Sequence, residues 1–261
     1  MVKSWYVYGY TNRKPEEAFV YPGIDGEPVQ FVSEGELFAA ATEVDAEEFQ
    51  PERLQEKVEE PVWVQEKAAH HHQVVQKIFE NVPVLPVSFG TVFASKPLLP
   101  EEKESYLQSR LKEVDGREEW KVKLFLHVET WMNHADSARE MEESIAGLSK
   151  GKQFFARKKL QQDLRARAEQ EAEERASELF HAVASCAEKA ERKKTWEKQV
   201  SGRREEMAAN DVFLFYGEEQ LNEAASRIKA FKEEEEKLGR GLIVEVSGPW
   251  PPYHFAAAET T

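Results

Sequence analysis

The segment Gly248-Pro249-Trp250-Pro251-Pro252-Tyr253-His254-Phe255 follows directly on an alternating apolar run, Leu242, Val244 and Val246. Its three prolines lack the backbone N–H that a strand ladder uses, and each turns its predecessor away from helical geometry. A strand over Leu242 to Val246 is therefore expected to stop at Ser247, with an extended tail beyond it. Trp250, Tyr253 and Phe255 carry too much apolar surface to be left in water. Two readings stand. The tail is a latch that seals its own domain, or it is a surface for a partner that recognises pre-extended Pro/aromatic sequence.

A chain of 261 residues suits one large domain or two of ordinary size. With 41% hydrophobic and 32% charged residues it reads as a folded protein with long solvated helical surfaces, not a disordered one. A net charge of -14 argues against nucleic acid or an anionic membrane as the main partner. The single cysteine, Cys186, cannot form an intrachain disulfide, which fits a reducing compartment. Met1-Val2-Lys3 leads into a strand-like run rather than a signal peptide, and no stretch has the length and apolarity to span a bilayer. A soluble cytoplasmic protein is expected.

The first part mixes α and β. Trp5 to Tyr10 has strand composition, and Val29 to Phe31 with Leu37 to Ala41 flank Glu34-Gly35 as a hairpin would. Helices are expected after Pro51, after Pro61, and from Pro100 to about Val114. Between them, Pro83 to Phe93 reads as a β-branched strand with edge or bulge character near Pro86. Asp115-Gly116 is the expected junction, giving domains 1–115 and 116–261. Beyond it, Val122, Leu124, Leu126 and Val128 alternate as in a half-buried strand. From about Lys152 to Lys194 there is neither Gly nor Pro, and pairs such as Arg165/Glu169 and Glu171/Arg175 support one long exposed helix. Its apolar stripe is thin, so it packs narrowly or against a partner helix. One further strand is read at Lys194 to Val200. Val212 to Tyr216 reads as a central strand, and Leu221, Ala224, Ala225, Ile228 and Phe231 as a helix stripe ending at Gly239. Strand-helix-strand units in duplicate favour α+β domains of ferredoxin-like type.

No constellation carries an obvious chemistry. His70-His71-His72 on a helix would point in directions roughly 100° apart and cannot converge on one metal ion. Val87-Ser88-Phe89-Gly90 lacks the leading glycine of a nucleophile elbow, having Pro86 there. Gly23-Ile24-Asp25-Gly26 and Gly239-Arg240-Gly241 lack phosphate-cradling spacing. The run Glu233 to Glu236 reads as a solvated helix face, and the basic clusters Arg157-Lys158-Lys159 and Arg192-Lys193-Lys194 as helix solubility or a dock for an acidic surface. No catalytic residue, cofactor or metal is expected.

Four segments resemble the gas vesicle protein F/L family: Trp5-Tyr6-Val7-Tyr8-Gly9, Ala69 to Val75 with Val84 to Phe93, Glu119 to Lys123, and the tail from Gly248 to Phe255. They run in family order, and the Pro86 to Thr91 strand and the Gly-Pro-Trp-Pro-Pro-Tyr tail are the specific ones. Glu206 to Asn210 also resembles the family's entry into its aromatic strand. The resemblance implies two ferredoxin-like-type domains, the C-terminal one modified with a long helical insertion. It implies a non-enzymatic accessory or minor structural role in building gas vesicles, the hollow protein shells that give cells buoyancy. It also implies the hydrophobic shell protein and other accessory proteins as partners. The expected contact residues are Phe154, Phe155, Leu179 and Phe180 on the long helix and Trp250, Tyr253 and Phe255 in the tail. Each has core packing as its alternative. The other function class open to ferredoxin-like pairs is a regulatory protein binding a small molecule, and an enzyme with a cleft between domains is a third.

Overall fold

The computed structural model describes residues 2–16, 19–49, 51–57, 59–97, 101–134, 145–198 and 202–256. Within them the chain divides into two compact units. One holds the residues up to Glu119 together with those from Pro249 onward, and the other runs from Trp120 to Gly248.

In the first unit the order is β1 (Lys3–Thr11), β2 (Gln30–Glu34), β3 (Leu37–Asp45), α1 (Pro51–Lys57), α2 (Pro61–Phe79), β4 (Leu85–Pro86), β5 (Val92–Phe93) and α3 (Glu101–Val114). The strands form one sheet in the order β2-β3-β1-β4, with β5 also on β1, every pair antiparallel. The aromatic and β-branched composition of β1 suits a strand buried on both faces. Tyr6 and Tyr8 meet Val74, Val75 and Ile78 of α2, while Val7 and Tyr10 meet Leu107 and Leu111 of α3. Gly9 sits where β1 bulges and passes β4 closely; a Cβ there would lie 2.6 Å from the Leu85 carbonyl oxygen. The apolar stretch expected as a single strand is two short ones. Gly90 adopts a φ of 86° in a turn closed by Thr91 N–H on the Ser88 carbonyl (3.2 Å), so both pieces return to β1.

The remaining elements are β6 (Arg117–Leu126), α4 (Val128–His134), α5 (Lys150–Ala184), β7 (Lys189–Arg192), β8 (Glu206–Tyr216), α6 (Gly217–Leu238) and β9 (Leu242–Trp250). Their sheet has the order β7-β8-β6-β9, with β7 and β8 antiparallel. Phe213 and Phe215 of β8, with Val122 and Leu124 of β6, pack under Ala176, Leu179 and Val183 of α5 and Ala224, Ile228 and Phe231 of α6. A second cluster joins Leu126 and Trp131 to Leu160 and Leu164. The α6 helix stops at Gly239, whose φ of 61° is the left-handed cap position glycine favours.

Three expectations are corrected. The long helix ends at Ala184, ten residues short of Lys194, and the next strand is Lys189–Arg192 rather than Lys194 to Val200. Lys-Ala-Glu-Arg has helical propensity, but pairing with the apolar β8 overrides it. Residues 199–200 lie outside the described ones. The last strand does not stop at Ser247 but continues through Pro249 to Trp250. β9 is an edge strand, which tolerates a proline whose nitrogen points away from the neighbouring strand. The units also differ from a single cut after Asp115: the turn to β6 is at Gly116 (φ 70°), and the tail packs in the first unit.

Candidate interaction surfaces

The tail is held at several points by the first unit. Glu119 is fully buried, and its Oε2 accepts the backbone amides of His254 (2.8 Å) and Phe255 (3.4 Å). Arg110 donates to the Phe255 carbonyl, and Gln76 reaches the Pro249 carbonyl at 3.4 Å. The rings of Trp250 and Tyr253 lie 5.1 and 5.6 Å from that of His72, whose Nδ1 shares a 3.1 Å hydrogen bond with the Tyr253 hydroxyl. Ala256 is sealed among Leu107 and Leu111. Trp250, Tyr253 and Phe255 are thus half-buried in contacts with their own chain. This is the arrangement a latch requires.

The three consecutive histidines serve three directions. His70 Nε2 meets the Pro22 carbonyl (3.1 Å), His71 Nδ1 the Tyr6 hydroxyl (2.9 Å), and His72 the tail. Burial pushes the His71 imidazole down to about 4, so it is neutral near pH 7. Burial likewise raises the phenols of Tyr6 and Tyr253, and pushes Tyr8 up to about 12. Among the described residues no group of three or more His, Cys, Asp or Glu side chains is placed to hold a metal ion.

On α5 the buried residues are Leu160, Leu164, Ala168, Ala172, Ala176, Leu179 and Val183, a stripe at spacings of four and three. The stripe is small in its middle and large at its ends. Leu179 is 1% exposed within the core, so it offers no surface to a partner. Phe180 is half-buried: its ring lies 5.7 Å from that of Phe213, under the guanidinium of Arg192 at 4.6 Å. Phe154 and Phe155 differ. They are 66% and 73% exposed, and their rings contact each other at 5.6 Å. Lys150, Lys152, Lys158 and Lys159 stand exposed around them and form no ion pair among the described residues. Of the seven expected contact residues, this pair alone stands mainly in water.

An ion cluster fixes the outer face of the second unit. Glu235, 3% exposed, accepts from Arg175 (2.7 Å) and Arg240 (2.8 Å). Arg240 continues to Glu171 (2.5 Å), which also takes the indole N–H of Trp131 (3.0 Å). The cluster ties α5 to α6 and α4. Sequence reasoning missed Glu119, Asp211 of β8 and the Ala168/Ala172/Ala176 row. The alanines' four-residue spacing was a usable signal, and Asp211 shares the strand parity of Phe213 and Phe215. Nothing in Glu118-Glu119-Trp120 distinguishes which glutamate is buried.

Two antiparallel sheets covered by helices define a mixed α and β protein, and solved structures share that fold. The crystal structure of the gas vesicle protein GvpF from Anabaena sp. PCC7120 is similar with a TM-score of 0.71 at 15% identity, over 98% of this chain and 99% of that one. GvpF from Microcystis aeruginosa gives 0.63 at 16% identity, over 99% and 100%. The family model of the gas vesicle synthesis protein GvpL/GvpF matches residues 4–257, and the chain belongs to that family. Gas vesicle protein L of Streptomyces sp. (strain CB03234) is 26% identical over 263 residues, which is 96% of this chain and 92% of that protein. No helix among the described residues is long and apolar enough to cross a membrane.

Proposed function

We propose that this chain is a non-enzymatic accessory or minor structural protein of gas vesicle assembly, acting in the cytoplasm and at the vesicle. In this role it binds the hydrophobic shell protein and other accessory proteins. The observation that carries the reading is the family match over residues 4–257, from the first strand into the tail. A shell subunit must be strongly apolar on its gas-facing side and aggregates if that side stays exposed before assembly. A soluble acidic adaptor covers it and releases it at the growing shell. Phe154 and Phe155 are the contact site in this account, because Leu179 is in the core and the tail is engaged with its own chain. The lysines around them add salt-sensitive attraction for carboxylates. The equal strand order of the two sheets, β2-β3-β1-β4 and β7-β8-β6-β9, supports counting both units as ferredoxin-like, the second enlarged by α5.

Quantitative capture of the co-expressed major shell protein tests the contact. Wild-type protein is expected to retain shell protein at high salt, and Phe154→Ser/Phe155→Ser to lose most of it while melting at an unchanged temperature. Equal capture by both proteins would remove the pair from the interface.

A further inference from the structure

Beneath the alanine row of α5 the second unit has a half-open cleft of about 370 Å³. Its walls include Ala172 and Ala176 from the helix, Leu126 from β6, and Met207 and Ala209 from β8, with Asp211 in the lining. Asp211 is 2% exposed, yet its carboxylate makes no hydrogen bond and no ion pair among the described residues. Its electrostatic neighbour is Arg192, the residue directly across from it in the β7–β8 register. The Arg192 guanidinium is used elsewhere. It donates to the Ala176 carbonyl at 3.2 Å and lies over the Phe180 ring.

The other polar side chains of the cleft are mostly engaged. Glu206 pairs with Arg165 (2.5 Å) and Lys198 (3.0 Å), Glu169 pairs with Arg165 (2.8 Å), and Asn210 donates to the Lys194 carbonyl (3.0 Å). Glu173 stands exposed at the rim. What remains is a buried carboxylate without a hydrogen bond, in a cleft whose apolar stretch is Ala172, Ala176 and Ala209 and whose other lining, with Arg192, Lys193 and Thr195, is largely polar. Burying a charge in that state is costly unless a partner neutralises it. Burial accordingly pushes its carboxyl up to about 6, with Arg192 pulling the other way.

We propose that this cleft binds a primary alkylammonium group, its charge on the Asp211 carboxylate and its methylene stem along Ala172, Ala176 and Ala209. A carboxylate accepts only, so the ligand must donate, and its negative charge selects a cation. An ammonium is a compact charge on a slender stem, and alkyl stems bury along apolar walls while the head reaches its partner. A guanidinium also pairs with a carboxylate, but as a planar two-point fork that is wider than an ammonium head. A metal ion needs several ligands, and no cluster of three or more is present among the described residues. The group has two chemical sources, a free alkylamine or polyamine, and a lysine side chain of a partner protein. The site is independent of the assembly role and of Phe154 and Phe155.

The test is titration of the full-length protein with n-pentylammonium chloride and, separately, with a capped Gly-Lys-Gly peptide. Amide shifts of β8 and the middle of α5 are followed by NMR. The expected result is a saturating response that weakens at least tenfold in Asp211→Asn. A response to both probes assigns the source to a lysine side chain as well as free amines; a response to pentylammonium alone assigns it to free amines. Asp211→Asn is expected to melt no lower than wild type at pH 7.5, since it removes a buried carboxylate that no hydrogen bond or ion pair holds. Ala172→Met is a second variant, which narrows the channel while keeping Asp211 and is also expected to abolish the response. No saturating response to either probe would overturn the proposal. So would a response unchanged in the folded variants.

Discussion

Glu119 and Asp211 are both nearly sealed from water, but they differ in what they meet. The Oε2 of Glu119 takes two amides of the tail, whereas Asp211 has none. Replacing Glu119 by Ala strips those amides of their acceptor, a loss worth about 1–3 kcal/mol. Hydrogen exchange at His254 and Phe255 is expected to accelerate strongly while β8 is unaffected. Unchanged exchange would show that the aromatic contacts alone hold the tail. A second pair of residues gives opposite pH responses. His71 titrates at about 4 in the folded chain against an ordinary 6.5, so between those values the unfolded chain binds more protons. Stability is then lost as pH falls through that window, by roughly 3 kcal/mol when complete. Asp211 titrates at about 6 against an ordinary 3.8, so the folded chain binds more protons there and gains stability as pH falls. Lowering pH from 7 to 5 should thus weaken exchange protection in α2 and β1, after correction for intrinsic rates, and preserve it in β8. A uniform loss across both units would contradict these assignments. None of these roles was legible in the sequence, because each depends on which polar side chain the fold buries. The directions of His70, His71 and His72 were legible, because helix geometry alone fixes them.

Among the elements, α5 shows most clearly what pattern can and cannot tell. Its composition announced a long helix, and of its expected charge pairs Arg165 meets Glu169 at 2.8 Å, whereas Glu171 turns to Arg240 and Arg175 to Glu235. Its end was not legible, since Lys189 to Arg192 is helix-like until β8 supplies a strand to pair with. Nor was the division of its apolar residues between core and surface. Leu179 faces the core and Phe155 faces water, although both are large and apolar. Leu179→Ala is expected to cost about 2–5 kcal/mol as a cavity-forming change, read as a fall in denaturant midpoint. A loss of binding with unchanged stability would contradict that placement. Glu235→Ala removes the buried carboxylate shared by Arg175 and Arg240, which keep Glu234 and Glu171, and should destabilise by roughly 1–3 kcal/mol. A denaturation curve within error of wild type would mean the cluster is solvent-compensated. The proline tail shows the limit of a local rule: a proline interrupts the ladder of an interior strand, but Pro249 lies in β9, which is at an edge.

At the scale of the molecule, the chain's end returns to the unit in which the chain begins. Residues 249–256 pack with the unit that holds β1, α2 and α3, and the family match spans from residue 4 to residue 257. The first and last segments therefore stabilise one body, and truncation before Pro249 should expose the α2 face around His72 and lower the melting temperature of the first unit. The two sheets repeat one strand order without a visible repeat in sequence, because side-chain identity can vary wherever burial and parity are kept. The proposed role is a part in building gas vesicles. It is tested most directly by deleting the gene in a vesicle-forming host and scoring vesicles by electron microscopy, with wild-type and Phe154→Ser/Phe155→Ser genes returned separately. Loss of vesicles on deletion, recovery with the wild-type gene and poor recovery with the double variant are expected. Normal vesicle numbers and shapes in the deletion strain would contradict it.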